Sequence, residues 1–147
     1  MKTILFILFL GFTLLGFSQN TLIPDPNFEQ ALIDLGYDTA PINGSVPTAN
    51  ISGVTSLNVN DKNISDLTGI EDFAALSELY CEDNQLTSLD VSNNPALTYL
   101  NCYDNQLTSL DVSTNTELSL LRCSSNQLTS LDVSNNIALE DLRCSSN

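Results

Sequence analysis

Cys81, Cys102, Cys123 and Cys144 stand 21 residues apart, and each is one letter of a segment that recurs nearly unchanged along the chain. A fixed period of this size marks stacked structural units, each too small to bury its own apolar face and stable only against its neighbours. The chain is therefore read as a solenoid. Its third unit runs L-T-Y-L-N-C-Y-D-N-Q-L-T-S-L-D-V-S-T-N-T-E from Leu97 to Glu117, between copies at residues 76–96 and 118–138 and a partial copy at residues 139–147. Apolar columns follow at Leu76/Leu97/Leu118/Leu139, Leu79/Leu100/Leu121/Leu142, Leu86/Leu107/Leu128, Leu89/Leu110/Leu131 and Val91/Val112/Val133. Each column predicts a stripe of core.

The alternation of Leu100 and Cys102 predicts a short strand with both side chains inward, and the D-N or S-N that follows marks the turn. Parallel strands then stack about 4.8 Å apart, one per repeat. The pattern L-x-x-L-x-C-x-x-N-x-L, running from about Val54 to Asn147, resembles the leucine-rich repeat family, with cysteine where leucine is more common. That resemblance implies an α/β solenoid of short parallel strands with a mostly irregular convex side. Residues 54–75 read as a divergent first repeat of 22 residues, judged by the step from Leu57 to Leu79, and their I-S-D-L-T-G-I is similar to repeats of internalin-like bacterial surface proteins. The asparagines Asn84, Asn105, Asn126 and Asn147 form a further column, suited to pairing the backbone groups of adjacent turns. Lys62 holds that position in the first repeat and has no acceptor, so the ladder is expected to begin at Asn84.

Outside the repeats the period is absent. Residues 1–18 carry Lys2, an apolar run from Ile4 to Leu15, and small residues at Gly16 and Ser18, the layout of a secretory signal cleaved before Gln19. No other apolar run approaches membrane length. Residues 19–53 are expected to form an N-terminal helical cap and loop. Asp25 is placed to cap a helix starting at Pro26, Phe28, Ala31, Leu32 and Leu35 form its apolar face, and Gly36 ends it. Pro41, Asn43, Gly44 and Pro47 mark a loop, followed by one short strand around residues 50–53. The C-terminal end, with a half-repeat after Leu139, is expected to be uncapped, as in a fragment of a longer surface protein whose relatives often continue to a sorting domain.

Charge and cysteine usage narrow the function. The chain has 18 acidic residues against 4 basic ones, a net charge of −14 that becomes −15 once Lys2 leaves with the signal. Nucleic acid is thereby excluded as a partner, because duplex binding rests on neutralising phosphates. Cysteines in one column of an in-register stack lie about 4.8 Å apart, whereas a disulfide needs Cβ atoms at about 3.8 Å. They read as buried free thiols. With no C-x-x-C pair and no histidine, no metal site and no cofactor is expected. The Asp90/Asp111/Asp132 column invites calcium, but one carboxylate per repeat is better explained by hydrogen bonds within its own turn, assisted by Ser92, Ser113 and Ser134. Without a histidine base, a phosphate loop or an exposed thiol, no enzyme is expected.

The framework repeats and so reports folding, whereas the outward strand positions vary. These are Glu78/Tyr99/Leu120/Asp141, Tyr80/Asn101/Arg122/Arg143 and Glu82/Tyr103/Ser124/Ser145, which form the concave surface. In leucine-rich repeat proteins that surface commonly binds protein partners, and the resemblance carries this implication to these columns. The candidate site comprises Glu78, Tyr80, Glu82, Tyr99, Asn101, Tyr103, Asp104, Arg122 and Arg143. The expected function is protein recognition or adhesion by a secreted or cell-surface chain. Carbohydrate binding through Tyr80, Tyr99 and Tyr103, or service as a spacer in a longer surface protein, are the alternatives.

Overall fold

The computed structural model describes residues 19–147, so the signal-like segment lies outside the described residues. The elements are β1 (Asn20–Leu22), α1 (Pro26–Asp34), β2 (Ser45–Pro47), α2 (Thr48–Ile51), β3 (Ser56–Asn58), a 3-10 turn (Ile70–Asp72), β4 (Glu78–Tyr80), β5 (Tyr99–Asn101), β6 (Leu120–Arg122) and β7 (Asp141–Arg143). Strands β3 to β7 form one parallel sheet in sequence order. Its register aligns Leu57, Leu79, Leu100, Leu121 and Leu142, so each pairing advances by one repeat, 22 residues first and 21 thereafter. The leucine-rich repeat solenoid expected from the columns is the observed fold.

The strands are short because each contributes one inward leucine before the chain turns. Leu79, Leu100 and Leu121 are fully buried, and so are the cysteines two positions on, Cys81, Cys102 and Cys123. Behind the sheet, Leu86 and Leu107 complete the same apolar core, with Leu97, Leu118, Val91 and Val112. The turn after each strand takes the left-handed conformation at Asp83, Asp104 and Ser125, with φ of 56°, 50° and 55°. Aspartate tolerates that region better than most residues, and the short side chain recurs for that reason.

Two asparagine columns bind successive coils together. Asn105 Nδ2 donates to the carbonyls of Cys81, Cys102 and Tyr103 at 3.0–3.3 Å, while its Oδ1 accepts from Leu86 N at 3.0 Å. Asn84 is the first rung: its Oδ1 accepts from Lys62 N and Ile64 N, so the first repeat needs no amide of its own. The second column, Asn94/Asn115/Asn136, recurs at the same period but was not singled out from the sequence. Asn115 Nδ2 donates to Val91 O and Asn94 O at 3.0 and 2.9 Å, and Asn136 repeats this on Val112 O and Asn115 O. These amides pair the carbonyls of the convex turns, which have no strand partner.

At the N-terminal end, α1 lies against the first repeat. Asp25 accepts from Asn27 N and Phe28 N through Oδ1, and through Oδ2 from Ser65 N, Ser65 Oγ and Asp66 N. One carboxylate thus caps the helix and ties it to residues 65–66. Burial works to raise the Asp25 carboxyl, but the hydrogen bonds from Ser65, Phe28 and Asn27 outweigh it and hold the group below the usual carboxylate range. Phe28 and Leu32 are fully buried, and the Phe28 ring stacks on Phe73 at 6.4 Å between centroids. Gly69, at φ +105°, passes so close to Leu22 O and the Ile23 side chain that a Cβ there has no room.

Two local expectations are corrected. Leu35 is 44% exposed, because it sits at the C-cap where the helical face has already turned away before Gly36, at φ +81°, ends the run. Residues 48–51 form the short helix α2 rather than part of a strand. The strand here is β2, which pairs antiparallel with β1 up to Pro47, with Thr48 N donating on to Gln19 O at 2.9 Å. As expected for an uncapped last coil, Cys144 is exposed, unlike the other three thiols, and Leu142 is 40% exposed, since no described repeat packs against β7.

Candidate binding face

The concave face is built from side chains flanking the inward leucines. On a three-residue strand the central side chain points in and its two neighbours point out, so β4, β5 and β6 present Glu78 and Tyr80, Tyr99 and Asn101, Leu120 and Arg122. Their in-register stacking turns variable positions into one surface. Tyr80 stacks on Tyr99 with ring centroids 4.6 Å apart and planes at 30°. On the following strand, Arg122 sets its guanidinium carbon 5.8 Å from the Tyr99 centroid. The Tyr99 ring therefore lies between an aromatic neighbour and a cation, a geometry in which the ring quadrupole favours both contacts. Burial pushes the Tyr80 phenol up, and the nearby Glu78 and Tyr99 push it further.

Beside this stack runs a shallow groove of about 410 Å³, lined by Glu82, Asp83, Asn101, Tyr103, Arg122, Ser124, Arg143 and Ser145. Tyr103 is 41% exposed at its edge. Arg143 pairs with Asp141 of its own strand at 3.1 Å. Arg122 forms no ion pair among the described residues, and its Nε is buried without a hydrogen-bond partner. The same holds for Glu82 Oε2 on the opposite wall. Buried polar atoms left unpaired cost about 1–3 kcal/mol each, so both are marks of a surface not optimised for its own stability alone.

Of the nine residues singled out from the sequence, the fold gathers Tyr80, Tyr99 and Arg122 into the stack and Glu82, Asn101, Tyr103, Arg122 and Arg143 into the groove. Glu78 stands at the N-terminal rim, where Ser56 Oγ donates to its carboxylate at 2.9 Å. Asn101 was expected to face solvent but is only 6% exposed; its larger neighbours overhang it, and its Oδ1 accepts from Tyr103 N. Asp104 is a turn residue and does not line the groove, whereas Asp83, one repeat earlier, does. Asp83 was not among the nine, although Asp104 at the same position of the next repeat was.

The Asp90/Asp111/Asp132 column is committed to its own turns. Each Oδ1 accepts from the backbone amide of Ser92, Ser113 or Ser134 at 2.9 Å. Hydrogen bonds from the serine hydroxyls and amides hold all three carboxyls below their usual range. No group of three or more potential metal-ligating side chains occurs among the described residues. The cysteines are free thiols; Cys81 Sγ donates to Asn101 O at 3.4 Å, and burial raises the Cys81, Cys102 and Cys123 thiols, that of Cys123 to about 11. These three are unreactive core atoms.

This arrangement matches known proteins. No family profile matches the chain. Internalin J of Listeria monocytogenes serotype 4b (strain F2365) is 38% identical over 77 residues, 52% of this chain and 8% of that protein. The solved functional domain of internalin J, a structure that includes a cysteine ladder, superposes with a TM-score of 0.79 at 37% identity over 87% of this chain and 29% of that one. This chain is similar to the internalins and shares their leucine-rich repeat fold. A leucine-rich repeat protein of Leptospira interrogans, 28% identical with a TM-score of 0.64, covers 67% of this chain and 27% of its own. The internalin-like chain thus spans less than a third of the length of each of these relatives. None of its described helices is long and apolar enough to cross a membrane.

Proposed function

We propose that this internalin-like chain is an exported, cell-surface, non-enzymatic module that binds a protein partner through its concave strand face and serves adhesion or recognition. The observation that carries the reading is the Tyr80–Tyr99–Arg122 stack, which crosses three strands at positions the fold itself leaves free to vary. Tyrosine and arginine dominate binding hot spots because each offers large area and directed polar contacts at low entropic cost. The likeness to internalins supports the class of function, and the leader-like residues 1–18 support export.

Tyr103, exposed at the rim of the groove, favours a second reading as a carbohydrate-binding surface. Against it, the Tyr99 ring is already flanked by Tyr80 and Arg122, which leaves little of its face for a sugar. Probing residues 19–147 in parallel against an array of cell-surface ectodomains and a glycan array separates the two. Saturable binding to a protein is expected, weakened at least roughly 30-fold by Tyr99→Ala/Arg122→Gln and unchanged by the convex-side control Thr116→Ala. Glycan binding abolished by Tyr103→Ala would instead support the carbohydrate reading.

A further inference from the structure

The concave groove is electrically split. Lys62, Arg122 and Arg143 are the three cations of residues 19–147, and Arg122 and Arg143 stand in register on adjacent strands. Like charges opposite one another in a sheet repel, and Asp141 neutralises only Arg143. Arg122 is left without an anion, and it borders the groove. On the other wall, Glu82 and Asp83 have no cation among the described residues, and Glu82 Oε2 is unpartnered. The two unpaired charges do not meet because β5, with Asn101 and Tyr103, runs between them. Two strand spacings across the sheet and two residues along it separate their backbones, about 12 Å in all.

Resting on the concave-face reading above, we propose that this groove selects a protein segment presenting a cationic side chain and a carboxylate about 12 Å apart, the cation toward Glu82 and Asp83 and the carboxylate toward Arg122. In an extended segment rising about 3.3 Å per residue, that spacing is about four positions, which also puts both side chains on one face. A neutral sugar supplies neither charge. A polyphosphate or nucleic acid satisfies Arg122 but meets the acidic wall. A second copy of the chain brings a large net negative charge to a surface already carrying acids.

Display of random twelve-residue peptides against immobilised residues 19–147 tests the proposal. Enrichment of Lys or Arg four positions from Asp or Glu is expected. Arg122→Gln abolishes the acidic preference and lowers the affinity of wild-type-selected peptides at least about tenfold. Glu82→Gln/Asp83→Asn abolishes the basic preference, and Glu82→Arg/Arg122→Glu reverses the order of charges along the selected peptides. Melting curves within about 2 °C of wild type verify folding, a shift of well under 1 kcal/mol for a domain of this size. No enrichment, enrichment without the charge pair, or a pattern unchanged in the variants overturns the proposal. Peptides that depend on Tyr99 but lack the charge pair overturn this inference alone. Peptides indifferent to Tyr99→Ala, Arg122→Gln and Glu82→Gln/Asp83→Asn alike overturn the concave-face reading itself.

Discussion

The inward and outward side chains of the same three-residue strands behave as two different materials. Inward, β4, β5 and β6 repeat one solution: a buried leucine, a buried cysteine two positions on, and an asparagine whose amide closes the turn. Outward, no two strands agree: glutamate and tyrosine on β4, tyrosine and asparagine on β5, leucine and arginine on β6. A stack of nearly identical coils tolerates no variation where each coil meets the next, because one wrong volume or one unpaired amide is felt on both sides. It imposes no such demand on the concave surface. Variation there is accordingly informative about binding, whereas regularity inside is informative only about folding.

This contrast can be broken from the inside first. Leu100→Ala removes a fully buried side chain from the middle of the stack and is expected to cost about 2–5 kcal/mol in chemical denaturation. A loss below about 1 kcal/mol would mean the column is not close-packed. Asn105→Ala leaves Leu86 N without its acceptor and takes one of two donors from each of the carbonyls of Cys81 and Cys102, which keep Asn84 and Asn126. It should cost about 1–3 kcal/mol, the size of one buried group left unpaired. Asn115→Ala should cost less, because Asn115 Oδ1 already lacks a partner and only its amide donors are lost.

A smaller effect separates the turns from the core. Asp25, Asp90, Asp111 and Asp132 have carboxyls held below their ordinary value of 3.8 in the folded state. A depressed folded value means that the stability from these groups is fully present above the unfolded value and is lost as pH falls through the folded one. Melting temperature should therefore be flat from neutral pH toward the unfolded value and drop below it. Asp25→Asn, which lowers the plateau but removes one of the titrating groups, should show a shallower drop. An unchanged acid profile in that variant would remove Asp25 from the account.

Most of the architecture is legible in the sequence because the period repeats the same information in each coil. Register, inward columns and the first rung at Asn84 all follow from alignment on Cys81, Cys102 and Cys123. The misreadings fall where that redundancy ends. Residues 19–53 have no second copy, so α2 and the exposure of Leu35 depend on tertiary contacts such as the pairing of β1 with β2. On the concave face, column membership locates Tyr80, Tyr99 and Arg122 but does not reveal that rings and guanidinium stack diagonally across strands, nor that Asn101 is overhung by its neighbours. The Asn94/Asn115/Asn136 column was legible by the same alignment, yet the two residues before it in each repeat are polar too, and polarity alone did not mark it as buried.

The most direct test sets stability beside binding in one pair of variants. For the Tyr99→Ala/Arg122→Gln double variant, the account predicts loss of about 1 kcal/mol or less in unfolding free energy, the size of an exposed aromatic and cation–π contact, with binding to the partner found by array screening reduced by about 2 kcal/mol or more. For Asn105→Ala, studied at a temperature where it is folded, it predicts the reverse ordering. Equal binding by wild type and the double variant, or a loss of binding explained entirely by unfolding, would contradict the claim that the outward columns carry recognition.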